Sequence, residues 1–221
     1  MKKNIEVSVS TDPIGDYQTI IEYAKQMQGV ADFLHCDIMN KNFVPKDTYD
    51  FNLVKNINRN SIILLDVHLM VAEPSEDIEK YIEAGANVIT LHYEAFADKE
   101  DLVDAIKFIK ENDTLAGISL KPNTSFGEVR TYAFNADLVL VMGVEPGASG
   151  QGMIPEMVDK VREIYKFREE NNLKFKIEFD GGVTIENAKL LTDAGVDILV
   201  SGSCVYNSKD RKKTIEMLKG N

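Results

Sequence analysis

The chain sets imidazoles and carboxylates two residues apart at the ends of short apolar runs. His35-Cys36-Asp37-Ile38-Met39 closes one run, Asp66-Val67-His68-Leu69-Met70 a second, and Glu178-Phe179-Asp180-Gly181-Gly182 a third. Side chains alternate along a strand, so His35, Asp37 and Met39 would share one face, and Asp66, His68 and Met70 another. His35, Asp37, His68 and Asp180 then offer two ring nitrogens and two carboxylates. That mixture suits one borderline divalent ion, Zn, Fe(II), Mn or Co. A lone histidine of this kind reads better as a hydrogen-bonded polar residue at a strand end; what favours a metal is the four together. The third histidine, His92, ends a further run before Tyr93-Glu94. Whether it supports the site or only the framework stays open.

Glycines crowd the ends of three later runs. Gly143 to Gly150 follow Met142, Gly181-Gly182 follow Asp180, and Gly202-Ser203 follow Ser201. Glycine lets backbone N–H groups approach an anion closely. One such loop would be an ordinary turn, but three on neighbouring strands imply a phosphate cradle. Met39, Met70 and Met142 end strands beside these groups. They fit core packing or an apolar collar that dries the reacting centre equally well.

The elements that must position these residues follow from periodicity. Strands are expected over Ile5–Ser10, Phe33–Ile38, Ile62–His68, Val88–His92, Ala116–Leu120, Leu138–Met142, Lys176–Asp180 and Ile198–Ser201. Each is followed by an amphipathic stretch, near 17–28, 52–56, 75–84, 99–111, 126–133, 155–171, 185–194 and 210–218. Eight strand–helix units imply an α/β fold of parallel strands closed as a (β/α)8 TIM barrel, one domain over residues 1–221. In such barrels reactive groups sit at the C-terminal strand ends, where all the residues above fall. An open doubly wound sheet is the rival, but no G-x-G-x-x-G turn follows the first strand. Two helices end in similar words, Gly85-Ala86-Asn87-Val88 and Gly195-Val196-Asp197-Ile198; their glycines read as helix caps.

Composition limits the partners. With 25 basic and 36 acidic residues the net charge is −11, which disfavours nucleic acid and anionic membrane surfaces. Long-range attraction will not bring in a phosphate, so local neutral amides must hold it. Two distant cysteines, Cys36 and Cys204, suit a reducing compartment. No stretch approaches the roughly 20 apolar residues of a membrane span, and no signal-peptide pattern follows Met1. A cytoplasmic protein is expected.

Longer words now become legible. Leu34-His35-Cys36-Asp37-Ile38-Met39 with Asn42-Phe43-Val44-Pro45 resembles the H-x-D-x-M-D-G-x-F-V-P pattern of the ribulose-phosphate 3-epimerase family. Asp66-Val67-His68-Leu69-Met70-Val71 is similar to its D-x-H-L-M-V word. Val141-Met142 with Glu145-Pro146-Gly147 and Gly150-Gln151 resembles its V-M-x-V-x-P-G-x-x-G-Q loop, and Asp180-Gly181-Gly182 its D-G-G word. The resemblance runs in order from about Ser8 to Tyr206.

It implies an isomerase that interconverts D-ribulose 5-phosphate and D-xylulose 5-phosphate by removing and returning the C3 proton through an enediolate. His35, Asp37, His68 and Asp180 would hold the metal, with no organic cofactor. Asp37 would act as base and Asp180 as acid, exchanging roles in reverse. Gly147, Ala148, Ser149, Gly150, Gly181, Gly182, Gly202 and Ser203 would hold the phosphate. Ser10 would touch substrate, with Ser8 two residues away on the same face. His68 and the three methionines would also line the substrate. A homo-oligomer, dimer or hexamer, is implied as well.

Departures fall on Asn40-Lys41, Val9, Lys121 and Ala148-Ser149. Lys41 and Lys121 leave room for another sugar phosphate, such as a D-allulose 6-phosphate 3-epimerase. Other phosphate barrels, decarboxylating or ring-forming, give the His-x-Asp and His set no task. A non-catalytic phosphate-binding barrel is the reading from a different class.

Overall fold

The computed structural model describes residues 4–48, 50–147 and 150–220. Eight parallel strands, β1 (Glu6–Ser10), β2 (Phe33–Met39), β3 (Leu64–Met70), β4 (Val88–His92), β5 (Leu115–Leu120), β6 (Leu138–Met142), β7 (Lys176–Asp180) and β8 (Ile198–Ser201), pair in chain order. β1 pairs with β8, which closes the sheet into a barrel. The fold is the expected single-domain (β/α)8 TIM barrel.

Around it run α1 (Tyr17–Met27), α2 (Phe51–Asn60), α3 (Ile78–Ala84), α4 (Lys99–Glu111), α5 (Phe126–Val129), α6 (Met157–Glu170), α7 (Ile185–Ala194), α8 (Ser203–Tyr206) and α9 (Arg211–Leu218). The side chains of Asp16, Asp50, Asp98 and Asp210 accept from first-turn amides and start α1, α2, α4 and α9, as N-caps do. From its Asp50 cap, α2 runs to Asn60, well beyond the expected 52–56. The expected helix at 126–133 is shorter: α5 breaks at Val129 and resumes only as a 3-10 turn, Tyr132–Phe134. β3 begins at Leu64, leaving Ile62 88% exposed.

Alternation splits the strands between two environments. Val7, Val9, Leu34, Cys36, Leu65, Val67, Ile89 and Leu91 face outward into the core beneath the helices. Burying each large aliphatic side chain stabilises the fold by roughly 1.5–3 kcal/mol. The inward residues divide by height. Phe33, Val88, Leu138 and Ile198 lie at the base of the lumen, in a separate apolar cluster that climbs β6 through Leu140 to Met142 and Val144. Above them the lumen turns polar, with Ser8, His35, Asp66, His68, Thr90 and Glu178 all at or below 2% exposure. Register then fixes neighbours across strands: Ser10 beside His35, His35 beside Asp66, Asp37 beside His68.

A fourfold device closes the opposite, N-terminal end. The residues just before β2, β4, β6 and β8 are Asp32, Asn87, Asp137 and Asp197. Their backbone N–H groups donate to Val7, Leu65, Ala116 and Ile177 at 3.0, 2.9, 2.8 and 2.8 Å. Their side-chain oxygens accept from the N–H of those same residues at 2.7, 2.7, 3.0 and 2.7 Å. Each even strand thus clamps the start of the preceding odd strand and satisfies an amide its ladder leaves free. All three carboxylates among them also meet a cation: Lys219 on Asp32, Lys110 on Asp137 and Arg168 on Asp197. The similar words at 85–88 and 195–198 therefore hold two devices. Gly85 (φ 97°) caps its helix in the left-handed region, while Asn87 and Asp197 clamp the barrel.

Replacing Asp197 by Ala should lower the unfolding free energy by about 2–3 kcal/mol, because it strands the Ile177 amide and takes the nearest carboxylate from the buried Arg168 guanidinium. Asp197→Asn, which keeps an acceptor for the amide, should lose less. Urea unfolding followed by circular dichroism measures both.

Candidate active site

β2 and β3 bring His35 and His68 together at the C-terminal end of the lumen, with His35 Nε2 and His68 Nδ1 3.4 Å apart. Asp37 Oδ1 lies 3.3 Å from the first nitrogen and 3.6 Å from the second. Asp180 Oδ2, from the far side of the barrel on β7, lies 4.0 and 3.9 Å from them. One ligand atom from each of the four lies within 4.8 Å of the others.

The surroundings decide which atoms are available. Ser10 Oγ donates to Asp37 Oδ2 at 2.8 Å, whereas Asp37 Oδ1 is buried with no hydrogen-bond partner. His35 Nδ1 meets Asp66 Oδ2 at 2.5 Å, and Ser8 Oγ donates to the same oxygen at 2.8 Å. A neutral His35 that gives its Nδ1–H to Asp66 has a bare Nε2 facing the cluster. The orphaned carboxylate oxygen and the converging nitrogens fit a divalent ion held by His35, Asp37, His68 and Asp180.

Without an ion, protons must offset these charges. Burial alone would depress His35, but the Asp66 and Asp37 carboxylates beside it hold it well above the usual imidazole value. Burial would likewise raise Asp37, yet the adjoining His35 charge and the close approach of both imidazoles keep it far below the carboxylate range. Asp180 goes the other way. Burial, then the negative charge of Asp37, pushes it up to about 7. Burial depresses His68, and takes His92 down to about 4. Glu178, fully buried and beside Asp66, is raised well above a normal carboxyl. Two carboxylates of opposite proton affinity in one site are an acid–base arrangement, and they titrate as one unit.

Above the cluster opens a cavity of about 330 Å³. Ser10, Asp37, Asp180, Met39, Met70 and Met142 line its floor and sides. Gly147, Gly150, Gly181, Gly182, Gly202 and Ser203 line the rest, with Asp12, Thr184 and Gln151 among their neighbours. His35 and His68 lie beneath, with no exposure. Of the two serines, Ser10 reaches the cavity; Ser8 is committed to Asp66 below it. Ala148 and Ser149 lie outside the described residues. Gly182 (φ 67°) shows why this wall stays bare: a Cβ there would stand 2.3 Å from the Met153 nitrogen.

Lys41 and Lys121 point elsewhere. Lys41 Nζ pairs with Asp47 at 3.0 Å on the surface, and Lys121 Nζ lies 3.9 Å above the Phe43 ring; neither lines the cavity. Sequence reasoning gave no role to Asp66 or Glu178, although Asp66 shares the face of His68, and none to Asp12. Asp12 sits two residues past Ser10 and pairs with Lys46. No spacing rule links Asp12 to Lys46, because the contact joins two loops.

The fold and the site together define a (β/α)8-barrel with a candidate divalent-metal centre facing a glycine-lined cradle. The chain belongs to the ribulose-phosphate 3-epimerase family, whose sequence profile matches residues 6–206. It is 38% identical over 194 residues to the ribulose-phosphate 3-epimerase of Bacillus subtilis, covering 87% of this chain and 88% of that one. The Aquifex aeolicus enzyme of the same name is 34% identical over 206 residues, covering 93% and 91%. The Escherichia coli K12 one is 34% identical over 197 residues, covering 89% and 86%. Among solved structures, 3-keto-L-gulonate-6-phosphate decarboxylase of Vibrio cholerae superposes with a TM-score of 0.73 at 13% identity, covering 98% and 96%. A 3-hexulose-6-phosphate synthase of Salmonella typhimurium gives 0.68 at 18%, covering 98% and 97%. Those two likenesses establish the barrel and nothing about its chemistry.

Gly182→Ala should destabilise the protein by more than about 1 kcal/mol, since the left-handed backbone and the Met153 contact both resist a methyl group. Gly152→Ala, with open space around its Cα, should be near neutral. Thermal unfolding of the two variants makes the comparison.

Proposed function

We propose that this chain is a ribulose-phosphate 3-epimerase, interconverting D-ribulose 5-phosphate and D-xylulose 5-phosphate. The observation that carries this reading is the convergence of Asp37 and Asp180. They come from β2 and β7, and both border one cavity beside two imidazoles and the glycine loops. Inverting C3 needs a group that takes the C3 proton on one face and a group that returns one on the other. Asp37, ionised and steadied by Ser10, removes the proton in the ribulose-to-xylulose direction. Asp180 delivers one to the opposite face, and the reverse reaction exchanges their roles.

His35, Asp37, His68 and Asp180 would hold one divalent ion, Zn, Fe(II), Mn or Co. When bound, it supplies Lewis-acid stabilisation of the negative charge that develops on the ketose oxygens. The backbone amides around Gly147, Gly150, Gly181, Gly182, Gly202 and Ser203 hold the phosphate without needing a cation, which suits a chain of net charge −11. Met39, Met70 and Met142, each at most 6% exposed, keep water from the reacting carbon. The pentulose substrate is favoured over a hexulose because the two departing lysines turn away from the cavity and the curated relatives are pentulose enzymes by name. Two observations agree with a cytoplasmic protein: both cysteines are free thiols, and among the described residues no helix is long and apolar enough to cross a membrane. A homo-oligomer completes the reading.

Asp37→Asn and Asp180→Asn should each lower kcat by about 10²–10⁴-fold or more while inorganic phosphate still binds. Near-normal turnover in either variant overturns the assignment. In D2O the product should carry deuterium at C3. Dialysis against a chelator should abolish turnover, and adding back one equivalent of a suitable ion should restore it.

A further inference from the structure

Epimerisation as derived above leaves one buried imidazole of the site without a task. His92 closes β4 with no exposure. Its Nε2 lies 3.0 Å from Nε2 of His68, and its Nδ1 lies 3.1 Å from Glu94 Oε2. The two rings are 19° from parallel with centroids 4.9 Å apart. Two imidazole nitrogens facing each other at that distance share one hydrogen: one ring donates, the other accepts.

Glu94 determines the direction. A carboxylate only accepts, so His92 carries its hydrogen on Nδ1 and is left with a bare Nε2. His68 must then donate through its own Nε2–H, which leaves its Nδ1 bare. That Nδ1 is the atom turned toward His35, Asp37 and Asp180. Glu94 is itself immobilised. Its Oε1 accepts from the Lys121 backbone N–H at 2.7 Å and from the Thr124 hydroxyl. Lys160 of α6 ties down that loop by donating to the carbonyls of Lys121, Pro122 and Thr124. Phe43 covers the His92 ring at 5.0 Å between centroids.

We propose that His92 and Glu94 are positioning residues for the metal centre: they hold His68 in its Nε2–H tautomer and so aim a bare Nδ1 at the ion. The arrangement mirrors His35, which Asp66 grips directly at Nδ1, leaving the opposite nitrogen bare. One imidazole is set by a carboxylate at first hand, the other by a carboxylate acting through a second imidazole. Such outer partners orient a ligating histidine and govern its affinity. The proposal rests on the metal reading above for its purpose, while the tautomer assignment stands on the hydrogen bonds alone.

Glu94→Gln is the informative variant, because it is isosteric. Its amide oxygen can satisfy Lys121 and Thr124, and the NH2 group then faces His92 Nδ1. That forces both rings into the opposite tautomers and puts a hydrogen on His68 Nδ1. With only three histidines in the chain, long-range 15N–1H correlation spectra of histidine-labelled, metal-free protein resolve each ring. Wild type should show His68 as Nε2–H and His92 as Nδ1–H, and Glu94→Gln should invert both. Zinc affinity by equilibrium titration should fall about 10–100-fold in Glu94→Gln, and similarly in His92→Phe, which removes the acceptor altogether. A wild-type His68 protonated on Nδ1, or folded variants that bind zinc as tightly as wild type, overturns the proposal. Failure of wild type itself to bind zinc would instead sink the metal reading, and the positioning role with it.

Discussion

Bare nitrogens of His35 and His68 and a partnerless oxygen of Asp37 face one another within 3.6 Å in a fully buried space. Lone pairs that close repel unless positive charge lies among them, and burial sharpens the repulsion by removing water's screening. A divalent ion held there would supply that charge; without one, a proton on His35 does. The displaced proton affinities of His35, Asp37 and Asp180 follow from burial together with this mutual demand. So does the need for outer partners: Asp66 on His35, Ser10 on Asp37, and His92 on His68 each consume the atom that would otherwise compete for the centre.

The second half of the site works by the opposite means. The glycine loops after β6, β7 and β8 offer amides in place of charges. On the proposed reading, an acidic protein holds a phosphate there without a lysine near Asp37 and Asp180, where it would shift both. Asp37 and Asp180 gather at one end of the cavity, and the glycine loops line the other beside Asp12 and Glu145. Met39, Met70 and Met142 line the cavity beside the centre.

The two ends of the barrel divide the labour. At the N-terminal end, Asp32, Asn87, Asp137 and Asp197 clamp alternate strands with paired hydrogen bonds. The apolar plug of Phe33, Val88, Leu138 and Ile198 fills the lumen beside them. The C-terminal end carries buried polar atoms that oppose folding. Stability at one end offsets frustration at the other, as strand polarity in these barrels permits.

Sequence alone determined what alternation and order can encode. The eight-unit barrel, the shared faces of His35 with Asp37 and of Asp66 with His68, and the glycines after three strands all depend on spacing within one element, where geometry is local. Helix limits were less legible at α2, which continues four residues past Asn56 to Asn60, and at α5, which breaks after four residues. Only the tertiary structure decided relations between elements. It separated Ser10, on Asp37 at the cavity, from Ser8, buried on Asp66. It turned Lys41 and Lys121 away from the mouth, joined Asp12 to Lys46, and linked His92 to both Glu94 and His68. These depend on which loop meets which and on side-chain direction after closure, and neither period nor composition carries that information.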